Sequence, residues 1–159
     1  MKGNPELIDK LNGLLARELT AINQYFVEAE MYENWDLAKL SKEERMRAIT
    51  EMKHAEKLIE RIIFLEGHPI VNKLEEIRIG ADAPNIIRND LELEYDAVRR
   101  YNEAIEVAQK AADNSTKTLL EGILNDEIDH VDQLEAFQDQ IAQMGLPNFL
   151  TTKANGEEG

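Results

Sequence analysis

Two of the three histidines in this chain stand three residues after a glutamate: Glu51 and His54 in EMKHAEK, Glu127 and His130 in NDEIDH. Residues three apart on a helix lie about 60° apart around its axis and one turn along it, so each pair can offer a carboxylate oxygen and an imidazole nitrogen to one metal ion. Closing such a site takes carboxylates from other helices, and the register supplies them. The interval of 76 residues that separates His54 from His130 and Glu51 from Glu127 also separates Glu18 from Glu94 and Tyr25 from Tyr101. In both halves 33 residues lead from the lone glutamate to the Glu-x-x-His pair, Glu18 to Glu51 and Glu94 to Glu127. One Glu-x-x-His is ordinary on a solvated helix face, where the spacing serves ion pairs. Two histidines, four glutamates and two tyrosines on one offset point instead to a helix pair used twice, around a pseudo-twofold axis with a dinuclear centre on it.

Charge makes such a centre feasible. Four carboxylates buried alone would be prohibitively expensive. Two divalent ions, or two ferric ions with a bridging oxide, cancel them, and neutral imidazoles leave the sum unchanged. Under the pseudo-twofold, Glu51 and Glu127 bridge the ions, while Glu18 with His54 and Glu94 with His130 are terminal. The chain has no cysteine, which excludes iron–sulfur and thiolate-zinc sites and leaves oxygen and nitrogen donors. Those donors suit iron, manganese and zinc alike; the precedent of di-iron bundles favours iron.

The elements that must position these residues read as helices. With 159 residues the chain is long enough for one domain, 1–159, with a sizeable core, and apolar residues recur at helical spacing almost throughout. Asn4 and Pro5 start a helix over about 5–34. SKEE, Ser41 to Glu44, reads as a capping box opening a second over 41–65, with Gly67 as its stop. Asp82 caps a third over 83–112 and Ser115 a fourth over 115–144, which Gly145 and Pro147 end; a short fifth covers about 147–155. Short breaks make each pair antiparallel. The middle connection of about 15 residues could reach roughly 50 Å at ~3.3 Å each, enough to run the length of such helices. The expected fold is therefore all-α: a ferritin-like four-helix bundle with one long crossover between helices two and three, plus a short C-terminal helix.

The net charge of −14 argues against nucleic acid and suits cationic cargo. The N-terminus lacks the apolar core of a signal peptide, and no run of ~18 apolar residues could span a membrane, so a cytoplasmic location is expected.

At residue level the chain resembles the bacterioferritins, the haem-containing bacterial ferritins. The resemblance covers most of the sequence: the start MKG, the run ELTAINQYF, EMKHAEKLIERI with FLEG, and QMGLPNFL near the end. All six ferroxidase ligands of that family have counterparts, Glu18, Glu51, His54, Glu94, Glu127 and His130. The resemblance implies a 24-subunit cage of twofold dimers, each subunit binding two irons, oxidising Fe(II) with dioxygen or hydrogen peroxide, and storing ferric mineral. It also gives Met52 a role that spacing alone does not: Met52 lies about 100° round the helix from Glu51 and reads as an interface filler, whereas the family's matching methionine is an axial ligand of a b-type haem shared across a twofold dimer. Leu19, Ile22, Asn23 and Phe26 resemble the lining of that pocket. Thioether ligation raises a haem's potential, and the family partner for electron delivery and iron release is a small bacterioferritin-associated ferredoxin.

Tyr25 is a candidate to supply an electron or order the site, beside the plainer reading of a core aromatic with a satisfied hydroxyl. Asn34, Glu66 and Asp132 resemble pore-lining residues, beside the plainer reading of a polar surface. His68 reads as exposed and Trp35 as packing at a helix end. The chain departs from the family at Met46 and Thr50, where some members place a histidine and an aspartate as an extra inner iron site. Two other readings compete: a di-iron oxidase without storage, and a non-enzymatic haem-binding helical scaffold. A rubrerythrin is disfavoured by the absence of a Cys-x-x-Cys pair.

Overall fold

The computed structural model describes residues 1–154, with five helices: α1 (Pro5–Asn34), α2 (Ala38–Phe64), α3 (Ala83–Lys110), α4 (Asn114–Met144) and α5 (Leu146–Lys153). α1 packs along α2 and α3 along α4, with α1 also against α3. This is the ferritin-like four-helix bundle with one long crossover and a short C-terminal helix. The crossover between α2 and α3 runs alongside α1. Asn12 accepts from the Ile70 N–H at 2.9 Å, Thr20 from Glu75 at 2.8 Å and Gln24 from Arg78 at 3.2 Å. Rising residue numbers on the crossover thus meet rising numbers on α1, and α3 starts at the far end of the bundle. Gly80 closes this route: a Cβ there would run into the backbone of Asn85 and Ile86.

Three helices start on side-chain caps. Asn4 accepts from Leu7 N–H at 3.1 Å, Asp82 from Asn85 at 3.0 Å and Asp113 from Thr116 at 3.0 Å. Two sequence expectations fail here. Asp113, not Ser115, caps α4, two residues earlier than expected. The SKEE capping box does not form: Leu37 is the N-cap of α2, without a side-chain bond, and Ser41 already lies one turn inside, its N–H on the Leu37 carbonyl. The Ser41 hydroxyl instead donates to the Ala29 carbonyl at 2.8 Å, tying α2 to α1.

α1, α2 and α3 all end in Schellman motifs with a left-handed residue that is not glycine: Asp36 (φ 58°), Glu66 (φ 61°) and Ala112 (φ 56°). Gly67, expected to be the stop of α2, is one residue past that position. Its N–H reaches the Ile62 carbonyl at 2.9 Å, and a Cβ on it would press Ile8. α5 spans Leu146–Lys153, so residue 155 of the expected helix lies outside the described residues.

Burial follows a pattern along every long helix. One apolar cluster holds Leu7, Leu11, Leu14 and Leu15 of α1 with Leu58 and Ile62 of α2, Ala104 and Ala108 of α3, and Leu120 and Ile123 of α4. At the other end, Tyr32, Leu40, Ile86, Ile87, Leu91, Leu134 and Phe137 close around Phe149 of α5. Between them the interior is polar and almost fully buried: Arg17, Glu18, Glu28, Glu44, Arg47, Glu51, His54, Asp90, Glu94 and Glu127. Two apolar plugs thus hold a dry, charged middle layer in which unpartnered groups are costly.

Candidate metal centre

The six residues picked out by spacing converge in that layer. Glu18, Glu51, His54 and Glu127 place one ligand atom each within 4.8 Å of one another, and Glu51, Glu94, Glu127 and His130 do the same. Glu51 and Glu127 belong to both groups, as bridging would require. His54 Nδ1 lies 3.5 Å from both Glu18 and Glu51 and 3.3 Å from Glu127 Oε1; His130 Nδ1 lies 3.2 Å from Glu51 Oε1 and 3.4 Å from Glu94. The other nitrogen of His54 is 2.8 Å from Asp126 Oδ2, which fixes the ring and turns Nδ1 inward.

The tyrosines complete the pseudo-twofold crosswise. Tyr25 on α1 donates to Glu94 Oε1 on α3, and Tyr101 on α3 donates to Glu18 Oε1 on α1 at 2.7 Å. Burial pushes both phenols well above their usual range, helped by Glu94 for Tyr25 and Glu18 for Tyr101, so both stay protonated as donors.

Sequence reasoning missed Arg17. It is fully buried, and its guanidinium sits among all four glutamates. Nη1 donates to Glu51 Oε2 and Glu127 Oε2, each at 2.7 Å, and to Glu18 Oε1 at 3.1 Å; Nη2 is 3.2 Å from Glu94 Oε1. Each glutamate therefore gives one oxygen to Arg17. The other oxygen of each, Glu18 Oε2, Glu51 Oε1, Glu94 Oε2 and Glu127 Oε1, is buried with no hydrogen-bond partner, as are both histidine Nδ1 atoms. Six orphaned donor atoms at the centre of a dry bundle fit metal ions.

Protonation follows the same geometry. Burial alone would raise every carboxyl; Arg17 overrides it at Glu18, held down at about 2, and at Glu94, held below the usual carboxylate range. Glu51 is pushed up to about 8 by burial and the Glu18 charge, and Glu127 is raised by burial with Glu94 and Glu51. Burial opposes a charged His54, but the close approach of the Glu127, Glu18 and Glu51 carboxylates outweighs it and raises its pKa. Burial and the neighbouring charges thus favour the protonated forms of Glu51, Glu127 and His54.

Solvent approaches from one side. His54 and His130 border a cleft with Lys53, Asp126 and Asp129, and His130 also borders one with Met46, Thr50 and Gln133. Met46 and Thr50 bring no carboxylate or imidazole there; the Thr50 hydroxyl bonds the Met46 carbonyl at 3.1 Å.

A second buried acidic group, also unforeseen, lies nearer the α5 end: Glu28, Glu44 and Asp90 with Arg47, whose Nη1 bonds Glu44 at 3.0 Å. Burial raises all three carboxyls, Glu28 to about 8.

Met52 points away from the centre and is 46% exposed on the outer face of α2. Ile49, one turn before it, and Val27 of α1 are also exposed; Leu19, Ile22 and Phe26 are half-buried and Asn23 exposed. Trp35 packs edge-to-face on Tyr32 at 6.1 Å. Asn34, Glu66, His68 and Asp132 are exposed.

Residues 8–144 match the family model of the ferritin-like domain. The chain is 41% identical to the bacterioferritin of Rhodobacter capsulatus over 97% of this chain and 96% of that one. It is 41% identical to the bacterioferritin of Brucella melitensis biotype 1 over 94% and 92% of the two chains. The bacterioferritin of Streptomyces coelicolor is 39% identical over 96% of this chain and 91% of its own.

Proposed function

The chain belongs to the bacterioferritins, within the ferritin-like family, and from that premise we propose that it is a ferroxidase and iron store. The observation that carries this reading is the set of six orphaned donor atoms, four carboxylate oxygens and two Nδ1 nitrogens, buried at one point of the bundle. Fe(II) is the substrate. Glu18 with His54 and Glu94 with His130 hold one ion each, and Glu51 and Glu127 lie between them. Two ions give up one electron each to the oxidant: dioxygen takes both electrons with two protons and leaves as hydrogen peroxide, and hydrogen peroxide takes both electrons with two protons and leaves as two waters. The carboxylates stabilise the higher charge of Fe(III), and Asp126 keeps His54 oriented through the change. Tyr25 and Tyr101 fix the terminal glutamates by donating to them. The clefts beside His54 and His130 are the proposed way in.

Storage requires assembly. We infer that the chain, one domain over residues 1–159, forms a 24-subunit cage of twofold dimers in the cytoplasm with ferric mineral inside. Support comes from apolar side chains left exposed on α1, α2 and the crossover, among them Val27, Ile49, Ile63, Phe64, Val71 and Leu74. Met52 from two copies would hold one b-type haem, with Leu19, Ile22, Asn23 and Phe26 beside it. Haem supplies a one-electron path for a small ferredoxin to reduce the stored iron. No helix among the described residues is long and apolar enough to cross a membrane.

Replacing Glu51 and Glu127 by alanine tests the reading. Aerobic Fe(II) oxidation by the variant is expected to fall to the rate of buffer alone. A variant that oxidises iron as fast as the parent would show that these carboxylates take no part.

A further inference from the structure

A carboxylate that bridges two ions gives one oxygen to each, and here one oxygen of both bridging candidates is already taken. Arg17 Nη1 holds Glu51 Oε2 and Glu127 Oε2 at 2.7 Å each. Resting on the metal-centre reading above, we propose that Arg17 is a built-in cation holding oxygens that the bridged pair of ions would need, so that the centre loads in two unequal steps: the first ion binds with the guanidinium in place, and the second binds only by displacing it.

Two observations support this. The first is the division of oxygens. Arg17 bonds one oxygen of every glutamate and leaves the other free, together with both histidine nitrogens. One ion can therefore use free atoms from a terminal glutamate, its histidine and one bridging glutamate without disturbing Arg17. The full set of bridges cannot form until Nη1 lets go. The second is charge. Four glutamates and two divalent ions sum to zero, but with Arg17 retained the sum is +1 in a largely buried layer, which opposes the second ion. Arg17 is also where the pseudo-twofold breaks. The residue on the 76-residue offset is Leu93, whose backbone carbonyl accepts from Arg17 Nη2 at 3.4 Å. One half of the centre carries a cation that the other half lacks.

Cobalt(II) tests this, being divalent, stable in air and visible by its d–d absorption. Anaerobic titration of the assembled protein is followed by calorimetry and by absorbance, with the parent, Arg17→Leu and Arg17→Lys. The parent is expected to take one Co(II) per chain and then a second at least about tenfold more weakly, because a buried cation must leave four carboxylates. Arg17→Leu is expected to take two Co(II) per chain with the steps merged and the second tightened, while Arg17→Lys keeps them apart. A mere loss of structure would weaken binding, so a tighter second step separates the two explanations. The parent alone is decisive should the leucine variant not fold: two ions of equal affinity would overturn the inference and leave the dinuclear centre standing. No cobalt bound at all would overturn both.

Discussion

Asp126 lies outside the ring of six donors, yet it holds His54 Nε2 at 2.8 Å and so decides that Nδ1 faces the carboxylates. Losing such a partner of a metal-bound histidine lowers metal affinity by roughly 10–100-fold. Asp126→Ala is therefore expected to weaken Co(II) binding within that range while leaving the fold intact, since Asp126 is half exposed; an unchanged affinity in a calorimetric titration would deny it the orienting role. Proton release belongs to the same scale. Glu51, raised to about 8, and Glu127 and His54, both raised, hold protons that an incoming ion must displace. Groups protonated below their raised pKa compete with metal, so affinity is expected to climb as pH rises towards about 8, with protons released on binding. Titration at two pH values, each in buffers of different ionisation enthalpy, reads both. The six donors were legible in the sequence because a shared offset is a one-dimensional trace of a twofold axis. Arg17 left no such trace. It sits beside Glu18 with no counterpart on the offset, and an arginine in a helix reads as surface until neighbouring helices close over it.

At the scale of the helix, termini were the least legible feature. Four long helices and a long crossover follow from hydrophobic spacing, but SKEE matched a capping pattern and was overruled when Ser41 found the Ala29 carbonyl on a neighbouring helix. Local capping chemistry cannot anticipate a tertiary partner. The left-handed residues at the ends of α1, α2 and α3 were likewise invisible, since none is glycine. Ala112 offers the cleanest test, having no side-chain bond to lose. In the left-handed region an L-residue costs roughly 1–2 kcal/mol, part of which glycine gives back through its unfolded-state entropy. Ala112→Gly is expected to stabilise the protein by about 0.5–1 kcal/mol, a rise in Tm of a few degrees at most. A lower Tm in a thermal melt would show that the turn before α4 is unstrained.

Across the whole molecule, the two apolar plugs and the polar layer between them divide the work. The plugs hold the helices at fixed spacing, and the layer places four glutamates where they would repel without a cation. Arg17 is that cation, in contact with all four. The net charge of −14 suits cationic cargo, and in the proposed cage the exposed apolar residues of α1, α2 and the crossover would face other subunits. The proposed assembly rests on the family resemblance, because one chain's periodicity records its own core and not the contacts of its copies. Storage after oxidation is checked by loading the protein with a large excess of Fe(II) in air and reading iron and protein across a size-exclusion profile. A large particle carrying far more than two irons per chain is expected. A particle with two irons per chain and no mineral would contradict storage and leave a di-iron oxidase; a protein that emerges without iron would contradict the metal centre itself.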